Sequence, residues 1–205
     1  MAEDVEKYCA NCITCIRYRH KPQKQESVPV KRKDVECWQE IMIDIEGPST
    51  PSDRSGNVYV LTYMCLVCRQ PLLEPLRRLD HHEVRRAFSR CVFRSGTIPI
   101  LLRSDRGQEF KNSYIREFLA LAGVRQRYGT QWRPVEQGPV ERMHQEMQKI
   151  LSLLVHDVCK CHPDEWSEML PVVEFLIYNT PGPHGYTPRD LDRRWSSGIE
   201  LERES

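Results

Sequence analysis

One acid constrains this chain more than any other residue. Asp44 interrupts the apolar run Ile41-Met42-Ile43-Asp44-Ile45, part of a segment from Trp38 to Ile45 that Gly47-Pro48 brings to a stop. Such a run, rich in β-branched residues, reads as a strand buried on both faces, which occurs where helices cover both sides of a sheet. An unpaired carboxylate there costs on the order of several kcal/mol, so this acid needs a cation or must keep its proton.

The rest of the chain supplies the layers around that strand. Asn57 to Val67 reads as a second strand after the turn Pro51 to Gly56, and Leu72 to Leu76 as a short third whose prolines suit a sheet edge. His82 to Phe93 carries Val84, Ala87, Phe88 and Cys91 at helical spacing and ends before Ser95-Gly96. Ile98 to Leu102 predicts a buried strand, Asn112 caps a helix running through Leu121 to the stop at Gly123, and Val124 to Tyr128 predicts a fifth short strand. After a polar loop, Gly138-Pro139 opens a long helix on which Val140, Met143, Met147, Ile150, Leu151 and Leu154 repeat with helical spacing. A last helix, Asp164 to Tyr178, precedes a Pro/Gly-rich turn and a charged tail. This order predicts an α/β fold: a mixed five-stranded sheet flanked by helices.

Length and composition narrow the class. The 205 residues suit a single domain with a short appendage, and 40% hydrophobic with 29% charged residues exclude a fibre or a wholly disordered chain. The longest apolar run, Val58 to Cys68, has 11 residues, short of the roughly 20 that span a bilayer. The acidic N-terminus lacks a signal-peptide core, which predicts a nuclear or cytoplasmic protein that is not secreted and has no membrane partner. Net charge is +1, yet Arg17 to Lys33 holds seven basic residues against one acid and Val84 to Arg106 six against one. These blocks fit either a solvated face or nucleic-acid contact. Nine cysteines without a secretory signal argue against a disulfide scaffold. Cys9, Cys12 and Cys15 form overlapping pairs that could hold zinc, while Cys65 and Cys68 lie in an apolar run and read as core.

Two further acids join Asp44. Asp105 ends the strand at Ile98 to Leu102, where the chain turns through Arg106-Gly107, and Glu141 lies in the first turn of the long helix, followed by the polar stripe Gln145, Gln148 and Ser152. Carboxylates gathered from a central strand, a neighbouring strand end and a helix start would repel unless they hold a divalent metal, and oxygen-only ligation favours Mg²⁺ or Mn²⁺. Two such ions suit in-line displacement at a phosphodiester. Taken singly, each acid also fits a plain structural role: a neutralised core acid, a turn residue, a charge favoured by the helix dipole. Spacing alone decides nothing, since roughly 0.7 Asp-to-Glu pairs at this separation arise by chance in such a chain.

The flanking residues do discriminate. Trp38 through Asp44 to Gly47-Pro48, Ser104-Asp105-Arg106-Gly107 with Phe110, and Thr130 through Pro134 to Gly138-Pro139-Val140-Glu141-Arg142 together resemble the catalytic core of retroviral and gypsy-like LTR-retrotransposon integrases. Thirty-five residues separate Asp105 from Glu141, the family's spacing, and Tyr178-Asn179-Thr180, His184 and Thr187-Pro188 resemble its closing motif. The likeness runs from about Trp38 to Leu191. It implies an RNase H-like fold in which Asp44, Asp105 and Glu141 bind two Mg²⁺ or Mn²⁺ ions, with 3′-end processing and strand transfer of element DNA into target DNA. It also implies DNA contacts at Arg106, Arg142, Gln145, Gln148 and Lys149, and at least a homodimer.

The resemblance divides the chain into a partial zinc module with a basic linker (1–34), the catalytic core (35–192) and a charged tail (193–205). The chain departs from the pattern in several places. Cys12 and Cys15 match the second half of the family's zinc module, but no His precedes them, so the Zn²⁺ site is incomplete. Cys65-Leu-Val-Cys68-Arg69 stands where many relatives carry an acid and a serine, and Glu136-Gln137 precedes Gly138 in place of Ser/Thr-Asn. Gln145 and Gln148 occupy positions of DNA-binding lysines. These departures keep an alternative open, a domesticated, inactive integrase-like module that binds DNA or protein. His81, His82, His144 and His156 read as surface residues, and Trp132 as either core or a base-stacking platform.

Overall fold

The computed structural model describes residues 35–49, 52–105, 110, 113–128, 134–158, 162–182 and 185–197. Residues 1–34, with Cys12 and Cys15, lie outside the described residues, as do Asn112 and Trp132.

Three antiparallel strands come first, β1 (Glu40–Glu46), β2 (Tyr59–Cys65) and β3 (Pro71–Leu76). Helix α1 (His81–Ser95) leads to β4 (Leu101–Ser104), and α2 (Ser113–Leu121) to β5 (Arg125–Tyr128). Helices α3 (Pro134–Leu153), α4 (Leu170–Asn179) and α5 (Pro188–Ser197) follow, with a π turn at Leu154–Val158 and a 3-10 segment at Pro163–Met169 between α3 and α4. The strand order is β3-β2-β1-β4-β5, with β1, β4 and β5 parallel. The expected mixed five-stranded sheet flanked by helices is what the chain forms.

Local chemistry explains the boundaries. Asp80 starts α1 by accepting from the Glu83 N–H at 2.9 Å, and Gly96 ends it in the left-handed conformation, φ 67°. At Gly47, φ 137°, an added Cβ would lie 2.6 Å from the Val58 carbonyl oxygen, so only glycine lets β1 leave the sheet here.

The sheet has an apolar core on each side. Ile41 and Ile43 of β1 pack with Val84 and Phe88 of α1 and Leu119 of α2, whereas Met42 packs with Met143 and Met147 of α3 and Val173 of α4. The edge strand β3 is sealed by charge: Glu174 of α4 accepts from the Leu73 N–H, and Arg94 bridges Glu174 and Glu74 while Arg90 meets Glu74 at 2.7 Å.

Four boundaries differ from expectation. β4 begins at Leu101 rather than Ile98, because Ile98 and Ile100 are exposed and Pro99 cannot donate to a ladder. α3 begins at Pro134, whose fixed φ suits a first helical position, so Glu141 stands about two turns in rather than in the first turn. The last expected helix is divided into the 3-10 segment and α4, with Pro171 at the start of α4, where a missing N–H is tolerated. Helix α5 was expected as turn and tail, but Thr187 and Asp190 form a reciprocal cap, Asp190 N–H to Thr187 Oγ1 at 3.0 Å and Thr187 N–H to Asp190 Oδ2 at 3.0 Å.

Candidate active site

The alternation of β1 turns Ile41, Ile43 and Ile45 toward α1 and α2, and hence Met42, Asp44 and Glu46 toward α3. Parallel pairing of β1 with β4 ends with Ile43 beside Ser104, and Asp44 and Asp105 are the next residue on each chain segment. Asp44 lies on the face that α3 covers, just past the last rung shared with β4, and Asp105 follows directly on β4. From α3, Glu141 is solvent-exposed at the rim and His144, one turn later, reaches down to the sheet.

His144 organises this corner. Its Nε2 lies 3.1 Å from Thr62 Oγ1 on β2, and its Nδ1 lies 3.7 Å from Asp44 Oδ2 and 4.0 Å from Glu46 Oε2. Burial pushes its pKa below the ordinary 6.5, against the opposing pull of the Glu46 and Glu141 charges. Burial likewise raises Glu46, only partly offset by His144 and by a hydrogen bond from Gln148. Glu46 Oε2 is buried with no hydrogen-bond partner among the described residues. Asp44 Oδ1 accepts from the Ile45 N–H at 2.9 Å.

The other sequence-derived candidates fall in different places. Arg142 and Gln145 are exposed on α3, Lys149 is half-buried, and Gln148 donates to Glu46. Arg106 lies outside the described residues. Asp44, Asp105 and Glu141 are not a group whose ligand atoms all lie within 4.8 Å of one another; among the described residues only Cys37, Cys65 and Cys68 are. His144 is no surface residue, its side chain being 13% exposed. Sequence reasoning missed Glu46 and His144; the only signal for them was spacing, Glu46 two residues from Asp44 on one strand and His144 three from Glu141 on one helix.

This mixed five-stranded sheet with its flanking helices matches solved structures. The HTLV-2 integrase catalytic core domain in complex with magnesium superposes with a TM-score of 0.64 at 14% identity, covering 78% of this chain and 99% of that one. The fold is that of an integrase catalytic core. The BIV integrase core gives a TM-score of 0.62 at 16% identity over 78% of this chain and 97% of that one. A simian T-cell lymphotropic virus intasome in complex with PP2A regulatory subunit B56 gamma gives 0.67 at 15% identity, covering 94% of this chain and 66% of that one.

Sequence comparison leads to retroviral Pol polyproteins, consistent with an integrase core of the RNase H-like superfamily. The chain is 23% identical over 192 residues to the Pro-Pol polyprotein of simian foamy virus type 3 (strain LK3), covering 93% of this chain and 16% of that protein. It is 32% identical over 100 residues to the Gag-Pol polyprotein of feline leukemia virus, covering 49% of this chain and 6% of that protein. The integrase-like core thus spans a small part of the curated relatives it matches. No protein-family model matches it.

The donor set of the integrase-like core fits a hard divalent cation. Its acids offer carboxylate oxygen, and the buried, unbonded Glu46 Oε2 adds another oxygen on the same face.

Proposed function

We propose that this chain is the core of a divalent-metal-dependent polynucleotidyl transferase that processes DNA ends and joins them to target DNA. The observation that supports this reading is the parallel pairing of β1 with β4, whose last rung, Ile43 beside Ser104, is followed directly by Asp44 and Asp105, with α3, which bears Glu141, packed against β1. Asp44, Asp105 and Glu141 would hold Mg²⁺ or Mn²⁺. When bound, a pair of such ions activates an attacking oxygen and stabilises the leaving oxygen of an in-line phosphoryl displacement.

The chain's own residues position the reacting strands. The Ile45 N–H orients the Asp44 carboxylate, and His144, held to Thr62, presents its Nδ1 side to Asp44 and Glu46. Neutral at pH 7 because its pKa is depressed, His144 adds no positive charge to compete with a cation. Arg142 and Lys149 would neutralise backbone phosphates, whereas Gln145 and Gln148 can hydrogen-bond DNA without releasing counterions. Water attacks the phosphodiester near each end, and the freed 3′-hydroxyl then attacks the target strand, with no covalent enzyme intermediate. Two ends must be held together, so the active form is at least a dimer, acting in the nucleus or cytoplasm.

The test is incubation of the purified chain with end-mimicking DNA duplexes and Mg²⁺ or Mn²⁺. Metal-dependent nicking and products joined to target are expected; cutting without joining would leave a nuclease of the same fold. DNA binding with no reaction in any metal would favour the second reading, an inactive binding module. That reading draws on the separation of the three acids and on Gln145 and Gln148 in lysine positions.

A further inference from the structure

On the sheet face opposite the acids, three sulfurs converge. Cys37 precedes β1, Cys65 ends β2 and Cys68 closes the turn that follows, and their Sγ atoms all lie within 4.8 Å of one another. None of the three is in a disulfide. The backbone is shaped around them. Cys65 Sγ accepts from the Trp38 N–H at 3.2 Å and the Val67 N–H at 3.4 Å, and the turn is closed by Arg69 N–H to the Cys65 carbonyl at 3.1 Å. The residue after Cys37 and the residue after Cys68 are the described non-glycine residues with positive φ, Trp38 at 68° and Arg69 at 67°. Strained backbone persists where the surroundings over-determine it, and here both strained residues aim a cysteine at the same point.

We propose that Cys37, Cys65 and Cys68 bind a structural Zn²⁺ through three thiolates. Three features carry the assignment. Thiolate sulfur selects zinc over the hard cations that suit the acid face. Zn–S bonds of about 2.3 Å place tetrahedral sulfurs about 3.8 Å apart, so the trio needs only a small contraction. Two backbone N–H groups, of Trp38 and Val67, already donate to Cys65 Sγ, an arrangement that stabilises a thiolate. The fourth position falls to water. Binding releases the remaining thiol protons to solvent and leaves the cysteines' oxidation state unchanged. The ion would fasten the segment before β1 to the β2–β3 turn. This goes beyond the proposed activity and does not depend on it.

The test uses the full chain carrying Cys9→Ser, Cys12→Ser, Cys15→Ser, Cys159→Ser and Cys161→Ser, which removes every cysteine outside the described residues. Reduced and stripped with chelator, it is titrated with Co²⁺. A near-ultraviolet thiolate-to-cobalt charge-transfer band with tetrahedral visible absorption, saturating at a single equivalent and displaced by Zn²⁺, is expected. Cys37→Ser and Cys68→Ser should each weaken Zn²⁺ binding at least about tenfold. Should either variant misfold, the same background reports directly through mass-mapped alkylation, in which Zn²⁺ should slow labelling of the half-buried Cys37. No charge-transfer band, a band unchanged in both variants, Cys37 labelling indifferent to Zn²⁺, or a Cys65–Cys68 disulfide isolated under reducing conditions would overturn the assignment.

Discussion

β1 is one strand with two unlike faces. Ile41, Ile43 and Ile45 enter the core beneath α1 and α2, while Met42, Asp44 and Glu46 meet α3 with a single apolar residue and two acids. A one-residue slip in register would exchange the faces, burying both acids among Phe88 and Leu119. The apolar face therefore does more than stabilise: it fixes the phase that turns Asp44 toward α3. The two faces also differ in donor chemistry, with thiols on one side and carboxylates on the other.

The faces should separate experimentally. The largest expected effect is Asp44→Asn, which should lower metal-dependent joining by at least about 100-fold, the scale of losing an electrostatic contact to a developing charge. Its thermal midpoint should stay equal or rise, since a carboxylate beside Glu46 is lost. Ile43→Ala, on the opposite face, should cost about 3 kcal/mol in urea unfolding, because a fully buried side chain leaves a cavity. If instead Ile43→Ala proved neutral and Asp44→Asn unfolded the chain, the division between the faces would fail.

The sheet edge gives a smaller effect. Arg94→Ala leaves Glu74 and Glu174 without their shared partner and should cost about 2 kcal/mol, partial exposure keeping it below the cost of breaking a fully buried pair. The smallest effect is in pH dependence. The His144 pKa lies below 6.5 when folded, so the unfolded chain binds its proton more tightly; the stability this residue contributes is intact above 6.5 and lost as pH falls toward the folded value. Glu46, raised from 4.5 by burial, acts oppositely, its ionisation penalty fading as pH falls toward 4.5. His144→Gln should therefore lose less stability than the parent between about pH 7 and pH 5, measured by urea midpoints.

Much of this was readable in the residues. Alternation and helical spacing place the five strands and α1, α2 and α3, because burial of apolar faces decides those elements. The π turn and 3-10 segment follow from packing around Trp166 and Leu170, which no period announces. The acids stood out because carboxylates in apolar strands need partners. His144 and Glu46 were hidden because single residues show their role only once α3 lies across β1. The Cys37 partner of Cys65 and Cys68 was hidden for the same reason: 28 positions separate Cys37 from Cys65, and antiparallel pairing of β1 with β2 brings them together.

The most direct test of the acid face is Mg²⁺ binding by calorimetry on the reduced, folded chain beside Asp44→Asn and Asp105→Asn. Mg²⁺ discriminates because thiolates do not hold it. The account predicts Mg²⁺ binding in the parent and its loss in both variants with folding retained. Binding that is absent from the parent, or unchanged in both variants, would contradict it.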